Sequence, residues 1–191
     1  DSIRALSAYG RLIAPDETQN GKQIDTANLN SGDWPAGTGF PDYASMERRA
    51  VVPDTDAVWG KNNGIIKNGI DLYGKPISGT PRQQNSIFVP TDATQTPSPS
   101  ASPDDTPTGT ISPTPTLAAP THLVISQFRT RGPKGADDEF IEIFNPSNAM
   151  VNIGNWQIKK SSECGMVISD LLTIPTGVQL LAGQRYLAVS Q

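Results

Sequence analysis

The chain has 191 residues, a net charge of −4 and a pI near 4.9, with 36% apolar and 18% charged residues and 17 prolines beside 17 glycines. That acidic balance gives no ground for a nucleic-acid or anionic-membrane partner, either of which calls for a strongly basic face. The single cysteine, Cys164, excludes an internal disulfide, no Cys/His cluster offers zinc ligation, and no apolar run is long enough to span a membrane.

Residues 1–14 read as two short strands around a turn at Ser7–Gly10, with Ile3, Leu6, Leu12 and Ile13 as core contributors. Asp1 reads as a mid-domain start, so the missing signal peptide is uninformative. From Asp16 to Asn30 the chain is polar and without period, which predicts a loop. A Gly/Pro-rich arm follows from Ser31 and leads into Tyr43-Ala44-Ser45-Met46-Glu47-Arg48. Strand neighbours point to opposite faces, so Glu47 with Arg48 and Arg49 is expected to form a surface ion pair.

Residues 90–120 are a different material. Pro, Ser and Thr dominate, three Asp are the only charges, and apolar residues are too few to offset chain entropy by burial. This composition predicts a disordered linker, extended at roughly 3 Å per residue to a reach on the order of 90 Å. Thr/Pro-rich spacers of this kind are often glycosylated stalks in exported proteins.

The most informative stretch runs from Asp138 to Lys160. Glu139–Asn145 alternates and is rich in β-branched and aromatic residues, so it predicts a strand with Ile141 and Ile143 on one face. Asn145-Pro146-Ser147-Asn148 supplies turn chemistry. The chain then alternates again, placing Trp156 and Ile158 together. Two such strands with a large aromatic entering the core predict an all-β sandwich.

The acidic group Asp137, Asp138, Glu139 and Glu142 invites a calcium reading, since convergent carboxylates on a loop are what calcium needs. Against it, Glu139 and Glu142 fall on opposite strand faces and Arg129, Arg131 and Lys134 stand close by, so a structural or solvated role prevails. Those three basic residues with Lys159 and Lys160 would make a phosphate patch only in a one-sided field. Residues 121–191 instead carry six acidic and six basic side chains. His122, the only histidine, sits at the linker junction, away from any held catalytic geometry. Cys164 reads as an unreactive loop thiol. Trp34, Trp59 and Trp156 have faces that stack on sugars or bases, against which the family resemblance given below implies a packing role for each. The sequence therefore offers no catalytic, cofactor or metal residues, and the ligand-binding residues are left unknown.

Three motifs in order resemble the lamin tail domain, an immunoglobulin-like β-sandwich family. They are Glu139-Phe140-Ile141-Glu142-Ile143-Phe144-Asn145, then Gly154-Asn155-Trp156-Gln157-Ile158, then the stretch from Ile174 to Gln184. The upstream Ile125-Ser126-Gln127-Phe128 and Gly132-Pro133-Lys134-Gly135 are similar to the bacterial branch. Earlier in the chain, Ser45-Met46-Glu47-Arg48, Val58-Trp59 and the turn Gly79–Asn85 resemble the ending of such a domain, with Arg82 where the family usually has glycine.

The resemblance implies an inverted order of parts: the C-terminal part of one copy at 1–89, the linker at 90–120, and the N-terminal part of a second copy at 121–191. Each part would leave an unpaired sheet edge, so the two are expected to pair within one chain as a permuted sandwich, or to exchange between chains. The implied role is a non-catalytic interaction or spacer module of a secreted or cell-surface bacterial protein, with a protein or cell-surface partner. The alternative is a set of accessory domains of a secreted hydrolase or nuclease. A nuclear filament tail would call for a heptad rod and a single tail, and the Pro/Thr linker does not suit it.

Overall fold

The computed structural model describes residues 9–14, 22–28, 40–52, 55–90, 122–163 and 166–190. Apart from Pro90, the expected linker lies outside the described residues, as do Trp34, Cys164 and residues 1–8. In chain order the strands are β1 (Tyr9–Ala14), β2 (Lys22–Asn28), β3 (Met46–Arg48), β4 (Trp59–Lys61), β5 (Val124–Arg129), β6 (Phe140–Phe144), β7 (Val151–Asn152), β8 (Gln157–Glu163), β9 (Met166–Thr173), β10 (Gln179–Leu180) and β11 (Arg185–Val189). The only helical elements among the described residues are two single 3-10 turns, at Asp56–Val58 and Ala136–Asp138.

All pairings are antiparallel, in a five-stranded sheet ordered β11-β6-β5-β3-β4, a four-stranded sheet ordered β2-β1-β8-β9 and a small β10-β7 pair. The all-β class is thus present. The core lies between the larger sheets: Met46, Trp59, Ile125, Phe128, Ile141 and Ile143 come from the five-stranded sheet, and Ile158 from β8 meets them. Trp59 stands edge-on to Phe128, with ring centroids 5.5 Å apart, and the Arg48 guanidinium lies 4.8 Å over the same indole. Such ring contacts contribute about 0.5–1.5 kcal/mol beyond the buried area.

The segments on either side of residues 91–121 share a sheet. β3 lies against β5 with Met46 opposite Phe128 and Glu47 opposite Gln127, and β1 lies against β8 with Leu12 opposite Ile158. Every residue of β3 and β5 is buried, unlike a half-exposed sandwich strand, because the stretch 77–88 crosses the outer face of the sheet.

Two expectations are corrected here. The loop expected over Asp16–Asn30 contains β2. Ladder bonds come from the backbone, and β2 is an edge strand paired to β1 alone, so its polar side chains are no obstacle. The turn expected at Ser7–Gly10 is not formed at its described end, since Tyr9 and Gly10 are already in β1 and pair on both sides.

The turns of the second segment follow their residue chemistry. Ser147 N–H donates to Asn145 Oδ1 at 3.0 Å, while the Asn145 amide donates to Ala149 and Leu180 carbonyls and ties the end of β6 to β10. Gly154 packs against backbone: a Cβ there would lie 2.6 Å from the Gly177 nitrogen.

Candidate functional site

Glu47 of β3, Gln127 of β5 and Glu142 of β6 are partners in register, and form a row of polar side chains across the outer face of the five-stranded sheet. All three are fully buried. Buried polar groups require partners, and the crossing stretch supplies them. Glu47 accepts from Ser45 Oγ (3.2 Å), Asn62 Nδ2 (2.7 Å) and Thr80 Oγ1 (3.0 Å) at one oxygen, and from Ser86 N–H and Oγ (both 2.7 Å) at the other. The Gln127 amide makes a reciprocal pair with the Thr80 backbone, accepting at 3.1 Å and donating at 2.7 Å.

Glu142 is reached from both segments. The register of β5 against β6 shifts between Ile125 and Gln127, so Ser126 is an extra residue, as in a β-bulge. That brings Ser126 Oγ (2.6 Å) and Gln127 Nε2 (3.2 Å) onto the same Glu142 oxygen, while the Arg82 backbone N–H donates to the other. Burial pushes the Glu142 carboxyl above its ordinary range, opposed by hydrogen bonds from Ser126, Arg82 and Gln127 and by the charge of Arg185. Arg82 carries a φ of +65°, the left-handed backbone geometry that favours glycine.

A second cross-segment contact lies at Asp138. Its carboxylate accepts from Leu72 N–H at 2.9 Å and Lys134 N–H at 2.7 Å, and stands 3.8 Å from the Arg129 guanidinium. Arg129 also donates twice to the Asp138 carbonyl. Burial holds Arg129 below its ordinary value, offset by Asp138 and Asp71.

Beside the polar row a cleft of about 230 Å³ opens along the seam between the segments. Arg48, Val51, Gln84, Asn85 and Phe88 line it from one segment, and Val124, Ser126, Phe144, Gly183 and Arg185 from the other. Asn85 is 7% exposed and its amide donates to the carbonyls of Arg48 (2.8 Å) and Ser126 (2.7 Å). Its Oδ1 finds no donor among the described residues. Arg185 lies 4.3 Å over the Phe144 ring, and its Nε is 3.2 Å from Glu142 Oε1 without its N–H being directed at that oxygen.

The acidic group singled out in the sequence is not brought together. Asp137 is exposed, Asp138 holds two backbone N–H groups, and Glu142 belongs to the polar row. No cluster of three metal-ligating side chains occurs among the described residues. The basic group is also dispersed: Arg129 is buried, Lys159 pairs with Asp170 at 2.5 Å, and Arg131 and Lys134 are exposed. His122 is exposed, Trp59 is in the core and Trp156 packs against it. Glu47 and Arg48 do not form the expected surface ion pair. Both are buried, on opposite faces of β3, with Glu47 under the crossing stretch and Arg48 donating to the Ile125 and Val52 carbonyls.

The cleft residues are not singled out in the sequence, where Asn85 belongs to the turn Gly79–Asn85 and Ser126 to the stretch Ile125-Ser126-Gln127-Phe128. With this geometry in view, the comparison with known families is specific to one part of the chain. Residues 116–191 match the family model of the lamin tail domain. The lamin tail match takes in β5 to β11, including Gln127, Glu142 and Arg185, whereas Glu47, Thr80 and Asn85 lie outside it. No curated protein and no solved structure matches the chain. The lamin tail domain is an immunoglobulin-like, generally non-catalytic module, and the antiparallel all-β architecture is consistent with it. No helix among the described residues is long and apolar enough to cross a membrane.

Proposed function

We propose that this chain is a non-catalytic interaction or spacer module of a secreted or cell-surface bacterial protein, built from two partial lamin-tail-type copies at 1–89 and 121–191 with a linker at 90–120. The lamin tail match over 116–191 carries this reading. The two-copy organisation is supported by the strand pairing. β3 and β4, from the segment outside the match, extend the sheet of the matched segment, as the missing half of such a domain would. The geometry of the polar side chains supports a binding or spacing role over chemistry. Glu47, Gln127, Glu142 and Asp138 hold backbone N–H groups of the crossing stretches, so these side chains are engaged in joining the segments. The Pro/Ser/Thr composition of 90–120 supports an exported setting and a protein or cell-surface partner.

Reading the gene outward from the codons for Asp1 and Gln191 tests the proposal. Further lamin-tail copies leading to a wall or membrane anchor are expected. A hydrolase or nuclease domain in the same frame would overturn the spacer role and make these accessory domains of that enzyme.

A further inference from the structure

The excursion between β4 and the crossing stretch, residues 62–76, has its polarity turned inside out. Asn62 and Asp71 are buried, whereas Ile65 (86%), Ile66 (48%), Ile70 (69%), Leu72 (62%) and Tyr73 (58%) are exposed. These are five of the ten large apolar side chains exposed among the described residues, and they fall within nine positions. Single exposed apolar side chains are ordinary, but a group of them marks a surface that meets something other than water.

The group is displayed on a fixed backbone. Asn63 Oδ1 accepts from the N–H groups of Ile65 and Ile66, both at 2.9 Å, and the Asn63 amide donates to the Ser86 carbonyl. Asn68 donates to the carbonyls of Gly79 and Pro81, and Ile77 N–H donates to the Gly69 carbonyl. Ile70 bridges to Pro76, Asp71 accepts from the N–H groups of Tyr73 and Lys75, and Asp138 holds Leu72 N–H. Both apolar tips, Ile65 with Ile66 and Leu72 with Tyr73, are thus anchored to the layer that covers the outer face of the sheet.

The accessible charge around the tips is mostly of one sign. Lys61, Lys67 and Lys75 are exposed and pair with no carboxylate among the described residues, and the Lys134 ammonium lies 4.8 Å from the centre of the Tyr73 ring. Of the nearby carboxylates, Asp71 and Asp138 are buried on N–H groups, and Asp137 is exposed. The net charge of −4 belongs to the whole chain and does not describe this loop.

We propose that residues 61–76 dock on a lipid bilayer bearing anionic headgroups. Ile65, Ile70 and Leu72 enter the headgroup boundary, and Lys67, Lys75 and Lys134 lie against the lipid phosphates. Protruding apolar tips fit a soft phase that closes around them, and lysine stems bury along the same boundary while their charges stay at the headgroups. The loop lies outside the lamin tail match, and vesicle binding is independent of the gene context that tests the module reading.

The test is co-sedimentation of the intact 191-residue chain with vesicles of phosphatidylcholine alone and of phosphatidylcholine with about one-third phosphatidylglycerol. Binding to the anionic vesicles is expected to be tighter by about tenfold or more, and to weaken as salt is raised. Lys67→Gln with Lys75→Gln should weaken it about twentyfold. Ile65→Ser with Leu72→Ser should weaken it by about tenfold or more without touching a charge. All four side chains are exposed, so both variants should keep the urea midpoint of the parent chain. Absence of binding to the anionic vesicles, equal binding to both kinds, or anionic binding unchanged by the Ile65 and Leu72 substitutions overturns the proposal, the last outcome meaning adsorption by charge alone. A concentration-dependent dimer in sedimentation velocity that the same apolar substitutions abolish, with no vesicle binding, would overturn it in favour of a second copy of this chain.

Discussion

If the outer-face polar row holds the stretch 77–88 on the sheet, then Glu47→Ala should be among the most damaging single changes in the chain. Glu47 is fully buried and accepts five hydrogen bonds, two of them from Ser86 and one each from Ser45, Asn62 and Thr80. The hydroxyls can rotate toward other acceptors, whereas the Ser86 backbone N–H and one N–H of the Asn62 amide, whose other N–H is held by the Ile66 carbonyl, are fixed and would be stranded. A buried donor left without its acceptor costs about 1–3 kcal/mol, so two fixed donors with the loss at Thr80 sum to about 4 kcal/mol. Against a total stability of about 5–15 kcal/mol for a domain, that is a large fraction. Glu47→Gln keeps the shape and one acceptor and should cost about 1–2 kcal/mol. Urea denaturation followed by tryptophan fluorescence reports on Trp59, which sits in the core beside β3. A loss below about 1 kcal/mol for the alanine variant would show that the row merely tolerates burial and does not anchor the crossing stretch.

Three further outcomes are expected. The Glu142 carboxyl is raised above its unfolded value of 4.5, so the folded state binds the extra proton: stability should be full below that value and decline as pH rises through the folded pKa, and the part of this decline due to Glu142 should vanish in Glu142→Gln when melts are compared across that window. Arg82→Gly relieves a φ of +65° while keeping the backbone N–H bonded to Glu142, and should raise stability by up to about 1 kcal/mol in urea melts; a loss would mean that the arginine side chain itself holds the turn. Gly154→Ala puts a methyl 2.6 Å from the Gly177 nitrogen and should cost about 1–3 kcal/mol by calorimetry, an unchanged melt being the contrary result.

How much of this was legible in the sequence depends on the distance over which each feature is decided. Ile141 and Ile143 alternate with polar neighbours and reach the core as that alternation predicts, and Asn145 makes the local turn bonds its chemistry allows. In the sequence Glu142 reads as an acidic side chain with a structural or solvated role, and Gln127 only as part of the stretch Ile125-Ser126-Gln127-Phe128. What buries them arrives from residues 47 to 60 positions earlier, and no local pattern carries that information. Arg129 reads in the sequence as one of three nearby charges that offset the acidic group, and its specific pairing with Asp138 depends on a turn that folds the acidic residue back. The strand β2 was missed because period-2 patterning reports burial of one face, and an edge strand of polar residues has no such requirement.

The pairing of β3 with β5 also bears on how the chain reaches its fold. Arg48 and the Ile125 carbonyl it holds are 77 positions apart, so this part of the sheet closes only after a long loop has been drawn together. Non-local pairing of this kind slows folding, and β5–β6, joined by a short connection, has the smaller closure to make and should form first. The equilibrium is far less sensitive than the rate, since doubling the length of a flexible closing loop adds only about 0.6 kcal/mol. The intervening stretch can therefore lengthen or shorten over many generations with little effect on whether the two segments stay joined, and selection on its length would act through reach and folding speed.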